Sequence, residues 1–228
     1  MHVPDGFLDA PTSVTTGVVA AAAIGIALRG ARRELDDRTA PLAGLVATFI
    51  FATQMLNFPV ASGTSGHLLG GALAAVLVGP YTGLLCMSVV FLVQCLLFAD
   101  GGITALGTNI CLMGVVTVVV GWGVFRLAQA VLPKKISMVA PAAAAAALVS
   151  VPVASLAFVG LYAVGGTVDI PLGQLMTAMV GVHTLIGIGE AAITFLAVGS
   201  IVAVRPDLVH GARRVLAART LQIKEPAR

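Results

Sequence analysis

Seven apolar runs, near residues 10–29, 41–58, 67–79, 81–99, 103–132, 137–164 and 172–204, leave little of this chain free to face water. A membrane-spanning helix needs about 20 mostly apolar residues, and most of the runs reach or exceed that. Charged residues make up only 10% of the 228, against 58% hydrophobic, and the mean hydropathy is +1.03. Soluble domains carry far more charge. The short alternating segments of an outer-membrane barrel are absent, so the expected fold is an all-α integral membrane protein. It reads as a bundle of about seven transmembrane helices, one of them short, in a single membrane domain over 1–228. No Lys or Arg precedes the first run, and Arg29 follows it, which is unlike a cleaved signal peptide. The first helix is therefore expected to stay.

The third run is too short to cross. At about 1.5 Å per residue, residues 67–79 reach only ~20 Å, so this segment should begin partway into the membrane. The irregular stretch "NFPVASGTSGH" before it should then be buried in protein, where non-helical backbone is tolerated at membrane depth.

The basic residues give the orientation. Arg29, Arg32, Arg33 and Arg38 follow the first run. Arg126, Lys134 and Lys135 close the fifth, and Arg205, Arg213, Arg214, Arg219, Lys224 and Arg228 follow the seventh. All 13 Lys and Arg fall on one side, the cytoplasmic one by the positive-inside rule, with residues 205–228 forming a basic cytoplasmic tail. The opposite loops hold Asp5, Asp9, Asp100 and Asp169, which places the opening "MHVPDGFL" outside. The net charge of +3 is thus a topology signal, and no nucleic-acid partner is expected; the surroundings are membrane lipid.

Ionisable groups inside a membrane are costly and usually face a partner or a cavity. His67 begins the short third run, after glycines Gly63 and Gly66 and the hydroxyl of Ser65, which can satisfy local amides. His2 adds a second possibility. A free terminal amine at Met1, the backbone nitrogen of His2 and its imidazole can close two fused chelate rings and offer three nitrogens in one plane. His67 would complete a square. Tetragonal nitrogen coordination suits Ni(II) or Cu(II), and imidazole-rich sites also take Co(II), whereas magnesium and calcium prefer oxygen. Pro4 and Gly6 favour a turn that folds the first residues, 1–9, back into the bundle.

Other polar groups have blander readings. His183 and Glu190 lie seven apart on one face of the last run and suggest a structural polar network. Asn57, Gln54, Gln94 and Asn109 are similar intramembrane groups, with Asn57 the best placed to line a site because it begins the irregular stretch. His210 is expected to be solvated in the basic tail. Cys86, Cys95 and Cys111 match no metal or disulfide spacing and read as small packing residues. Small residues at Ala43 and Ala47, and at Gly70 and Ala74, mark close helix contacts, as does the alanine run from Pro141. The phosphate loop G-x-x-x-x-G-K-[ST] is missing, as is H-E-x-x-H, and "GIGEAA" at Gly187 sits in an apolar helix without a preceding strand.

Taken together, "MHVPDGFL", "NFPVASGTSGHLLGGALAAVLVGP", "LLFADGGITALGTN" and "HTLIGIGEAAIT" resemble the CbiM/NikM family, substrate-binding membrane subunits of energy-coupling-factor (ECF) cobalt and nickel transporters. The resemblance covers nearly the whole chain. It implies a seven-helix fold whose N-terminus enters the bundle and binds Co(II) or Ni(II) as transported ligand, with no resident cofactor. The family's ligands fall on the Met1 amine, the His2 backbone and imidazole nitrogens, and the His67 imidazole. It also implies a CbiQ-like transmembrane coupling subunit, CbiO-like cytoplasmic ATPases and a small CbiN-like accessory membrane subunit. The resemblance also links the chain to cobalamin biosynthesis. Where the family often has a further Asn, this chain has Leu112. The alternatives are an intramembrane enzyme using His183 and Glu190 as an acid/base pair, and an ECF subunit for another substrate such as a vitamin. The second would want an aromatic-lined pocket, and the chain has one Trp and two Tyr.

Overall fold

The computed structural model describes residues 1–37, 39–60 and 65–224 of the chain. They form nine helices, α1 (Ala10–Ala31), α2 (Ala40–Gln54), α3 (Gly71–Val78), α4 (Pro80–Phe98), α5 (Leu106–Asn109), α6 (Thr117–Val131), α7 (Val139–Gly165), α8 (Leu172–Val204) and α9 (Arg213–Lys224). A π-helical segment, Ile110–Val116, joins α5 to α6, so that Leu106–Val131 is one continuous rod. Two short strands, β1 (Phe58–Pro59) and β2 (Ser65–Gly66), pair antiparallel between α2 and α3.

Five of these helices are long and apolar enough to cross a membrane: Ala10–Ala31, Pro80–Phe98, Leu106–Val131, Ile136–Gly165 and Leu172–Val204. The second expected run appears as the shorter apolar helix α2 and the third as α3, which is shorter still, and the boundaries move. The second run stops at Gln54, four residues before its expected end at 58, and the third becomes helical only at Gly71 rather than at 67. The reason is local chemistry. Gly70 has φ +83°, a left-handed conformation that interrupts the helix, and Pro59 cannot extend α2. The eight residues of α3 reach about 12 Å, and every one of them is buried.

Close packing around α3 follows from small side chains. Ala72, Ala74 and Ala75 are fully buried, and Gly83 of α4 passes against Ala74. In α7 the alanine run supplies Ala142, Ala143, Ala146 and Ala147, all fully buried. In lipid, where apolar burial drives nothing between helices, such close backbone approach provides the dispersion contacts. Ala43 is buried and Ala47 packs at the edge of the core, as the small-residue spacing on α2 predicts. Cys86, Cys95 and Cys111 are buried and unpaired, as expected of packing residues.

The two ends of the bundle have different chemistry. At one end lie residues 1–9, the stretch after α2, the loop 99–105 and the turn after α7. At the other, Glu34 accepts from the N–H groups of Thr82 (2.7 Å) and Tyr81 (3.3 Å) and so caps α4, while its own carbonyl accepts from Arg213. The segment after α8 is not a free tail. Residues 206–208 and 210–212 form turns of 3-10 helix, Gln129 donates to Gly211 O (2.9 Å), and Val209, Gly211 and Ala212 are buried. This corrects the expectation for His210. It packs on Trp122 with ring centroids 5.5 Å apart, and burial, helped by Arg213, lowers its pKa to about 4.

Candidate metal centre

The first nine residues are a plug, held at each step by side chains from other elements. Gly6 at φ +75° makes the turn, with Phe7 N–H donating to Pro4 O. Asp9 caps α1 by accepting from Thr12 N–H (2.9 Å), its own N–H donates to Gly165 O (2.7 Å), and Thr167 N–H donates to Phe7 O (3.1 Å). The Phe7 ring sits between Phe158 and Tyr162. Asp5 Oδ1 accepts from Thr104 N–H (2.8 Å) and Oγ1–H (2.5 Å), contacts that hold its carboxyl below the usual range.

Deeper in, Asn109 grips Val3 at both main-chain groups. Its Oδ1 accepts from Val3 N–H (2.7 Å) and its Nδ2 donates to Val3 O (3.1 Å), an oxygen that also accepts from Gly102 N–H (2.9 Å). Such closeness requires glycine opposite. A Cβ on Gly102 would lie 2.3 Å from Asp5 N, and Gly101, at φ +92°, faces Asn109 Nδ2 and the His2 ring. Met1 and Val3 end up 1% and 0% exposed. Burial lowers the pKa of the Met1 amine to about 4, with Asp100 opposing, so the terminal nitrogen is neutral near pH 7 and has a lone pair to offer.

His2 and His67 meet at the bottom of this plug. Their rings stack with centroids 4.6 Å apart and planes at 27°, and Phe91 stands edge-on to His2 at 5.9 Å. His67 Nδ1 is 2.8 Å from Leu68 O, which can only accept, so Nδ1 carries the hydrogen. That leaves His67 Nε2 with a lone pair, buried and without a hydrogen-bond partner. His2 Nδ1 is likewise buried without a hydrogen-bond partner and lies 3.1 Å from Asp100 Oδ1, an ion-pair distance. His2, and to a lesser extent Asn57, hold the Asp100 carboxyl below its ordinary range.

The remaining expected residues fall around this pair in different ways. Asn57 is exposed at the mouth, beside Asp100. Ser65 pairs through its backbone with Pro59, and its side chain lies outside the described residues, as do Gly63 and its neighbours at 61–64. His183 is fully buried on α8, donates from Nδ1 to Met179 O (2.8 Å), and leaves its Nε2 unpartnered. Glu190, two helical turns on, does not bond His183. Its two oxygens accept from Leu69 N–H (2.6 Å) and Gly70 N–H (2.9 Å), which satisfies the open start of α3. The expected polar network is therefore a clasp on the segment that carries His67. Leu112, in the π segment, is buried at 2% exposure.

Some contributors escaped the sequence reading. Gly101 and Gly102 were not singled out, and Asp5 and Asp100 were used only to orient the chain. The run "ADGG" at 99–102 is the clue, an acidic residue followed by two glycines just after a span.

The model of the cobalt uptake substrate-specific transmembrane region, CbiM, matches residues 2–208. The chain belongs to the CbiM family. It is 42% identical, over 92% of its length, to a putative metal transport protein of Haloquadratum walsbyi, of which 93% is covered. It is 40% identical, again over 92%, to a putative fused nickel transport protein NikMN of Archaeoglobus fulgidus, of which 68% is covered. A solved structure described as a truncated transition metal transporter superposes with a TM-score of 0.80 at 28% identity, covering 89% of this chain and 99% of that one. A CbiM chain with this helical bundle is a multi-pass membrane protein and a transport component, not an enzyme. The rival acid/base reading of His183 and Glu190 is set aside accordingly.

Proposed function

We propose that this chain is the substrate-capture subunit of an energy-coupling-factor system that takes up divalent cobalt or nickel. The ion is held by the Met1 amine, the His2 main-chain and imidazole nitrogens, and His67 Nε2. One observation carries the reading: two stacked imidazoles, beside a buried neutral amine, each hold a buried nitrogen that makes no hydrogen bond, His67 Nε2 with no partner and His2 Nδ1 with only the Asp100 carboxylate 3.1 Å away. Unpaired polar nitrogen in a bundle interior is expensive, and a metal ion repays that cost.

The chelate needs its main-chain members. Among the described residues no group of three His, Cys, Asp or Glu side chains is placed to hold a metal ion. Two imidazoles alone make a weak site, and the terminal amine and the His2 amide raise it to four nitrogens in a square. Asp100 supplies negative charge beside the ion, and Asn109, Asp5 and Glu190 hold the ligands in place. A dry, rigid nitrogen site with one carboxylate at its edge rejects magnesium and calcium, whose preferred ligands are oxygens.

The whole chain, 1–228, acts as one membrane domain with its N-terminus outside and its basic end cytoplasmic, so the metal enters from the extracytoplasmic face. Release inward is driven by a CbiQ-like coupling subunit and CbiO-like ATPases. A CbiN-like accessory subunit completes the set; the relatives named as fused NikMN proteins support a partner of that kind.

The test is to titrate cobalt and nickel against the purified protein with its native start and against a version carrying one alanine before Met1. The extension moves the amine one residue away and leaves both histidines intact. Binding is expected to fall by at least 100-fold; unchanged binding excludes the terminal chelate.

A further inference from the structure

The amides that surround His2 can all be oriented from one fixed point, the carbonyl of Leu69. A main-chain carbonyl only accepts, so the Gln54 atom 2.7 Å from it is the amide nitrogen. Gln54 then turns its oxygen to Gln94, and an oxygen there needs a donor, which makes the Gln94 atom at 2.9 Å the nitrogen. What Gln94 has left is Oε1, 3.1 Å from His2 Nε2. An amide oxygen accepts and cannot donate, so His2 Nε2 carries the ring hydrogen. In a neutral imidazole the lone pair is then on Nδ1.

Nδ1 is the nitrogen nearer the main chain, and the one that closes the smaller chelate ring with the His2 amide. It makes no hydrogen bond of good geometry, and the group it faces is the Asp100 carboxylate, with Oδ1 3.1 Å away, a negative charge that a cation bound at Nδ1 would neutralise. Gln54 and Gln94 are both fully buried, in α2 and α4, where no solvent can stand in for a missing donor or acceptor. Reversing either amide would set oxygen against oxygen.

We infer that Gln54 and Gln94 are positioning residues that lock His2 in the metal-ready tautomer, with the Leu69 carbonyl as the anchor of the relay. This rests on the proposed metal site. The same segment prepares both imidazoles: the Leu68 carbonyl fixes the tautomer of His67 directly, and the Leu69 carbonyl fixes that of His2 through two glutamines. Glu190 holds the other edge of that segment through Leu69 and Gly70 N–H. Docking of the His67 segment therefore makes both ligand nitrogens available together, and undocking withdraws both.

The experiment uses the full chain with its native N-terminus in lipid nanodiscs, labelled with nitrogen-15 histidine, and Ni(II) as the probe. Without metal, the His2 nitrogen shifts are expected to report hydrogen on Nε2. Gln94→Leu removes the acceptor, and Gln54→Leu frees Gln94 to turn over. Each is expected to give a mixed tautomer and a roughly 10–100-fold weaker Ni(II) affinity, the range for loss of a group that orients a metal ligand. The double variant Gln54→Leu with Gln94→Glu places an acceptor on Nε2 with no opposing oxygen, and is expected to restore the tautomer and part of the affinity. Hydrogen on Nδ1 in the parent protein overturns the inference, as does a Gln54→Leu variant that loses the tautomer but keeps full affinity. The shifts are read without metal, so they test the relay even if His2→Ala binds Ni(II) normally, a result that would sink the metal site instead. Thermal melting of each variant separates misfolding from either outcome.

Discussion

The carboxylate of Glu190 and the main-chain N–H of Leu69, 121 residues apart in sequence, meet at 2.6 Å in the middle of the bundle. This contact ties the longest helix, α8, to the segment that delivers His67. It also explains how a non-helical stretch can persist at membrane depth, since its open donors are satisfied by a side chain rather than by water.

Glu190→Ala leaves the Leu69 and Gly70 N–H groups buried and unpaired, which costs roughly 1–3 kcal/mol each. A clear drop in melting temperature is expected, together with weaker nickel binding, because the freed segment carries His67. Glu34→Ala should separate the two effects. It removes a cap at the opposite end of the bundle, worth about 1 kcal/mol, and should lower the melting temperature while leaving nickel affinity as it was. Equal affinity losses in the two variants would mean that the clasp has no special link to the site.

Gly102→Ala would set a Cβ 2.3 Å from Asp5 N and 2.4 Å from Asp5 Oδ1. The plug must shift to accommodate it, at a typical overpacking cost of about 1–3 kcal/mol. Because 1–9 precedes α1 and forms no part of any helix, the helices should remain and the loss should appear in the plug: nickel affinity falls about 10–100-fold and the N-terminus becomes accessible to aminopeptidase. A protected terminus with full affinity would show that this close approach is not what seats the chelate.

Acid should weaken metal binding. Ligation expels the proton of the His2 amide, so affinity rises about tenfold per pH unit for that one proton. The Met1 amine is already neutral above about pH 4 when buried, and so adds no second proton over pH 5–8 while the plug is seated. The same shift has a defined sign for seating. An exposed amine takes up a proton below its ordinary value of 8.0, whereas the buried one resists down to about 4, so plug insertion is fully favoured above pH 8 and is lost progressively as pH falls through that window. Isothermal titration of Ni(II) across pH 5–8 checks the slope, and a flat profile rules out amide ligation.

Apolar runs and glycine and proline breaks were enough to read the helical membrane bundle and its short third segment. Those properties follow from the exclusion of water from lipid, which acts on each segment by itself. The opening Met-His, with its Pro-Asp-Gly turn, likewise suggested the proposed chelate, which needs only neighbouring atoms of one chain end. The partners of that chelate were decided by tertiary structure. Asp100, Asn109, Gly102 and Gln94 reach the plug across separations of 92 to 106 residues, Gln54 joins them through Gln94, and their pairing depends on which helices lie side by side. His183 and Glu190 share a helical face in sequence, yet they part company in the fold because the start of α3 needs an acceptor more than His183 does. Even His210, which looked like surface, was claimed by Trp122 once the chain after α8 folded back. Periodicity tells each segment which face to bury. The identity of its neighbour is settled only when buried donors and acceptors are matched throughout the bundle.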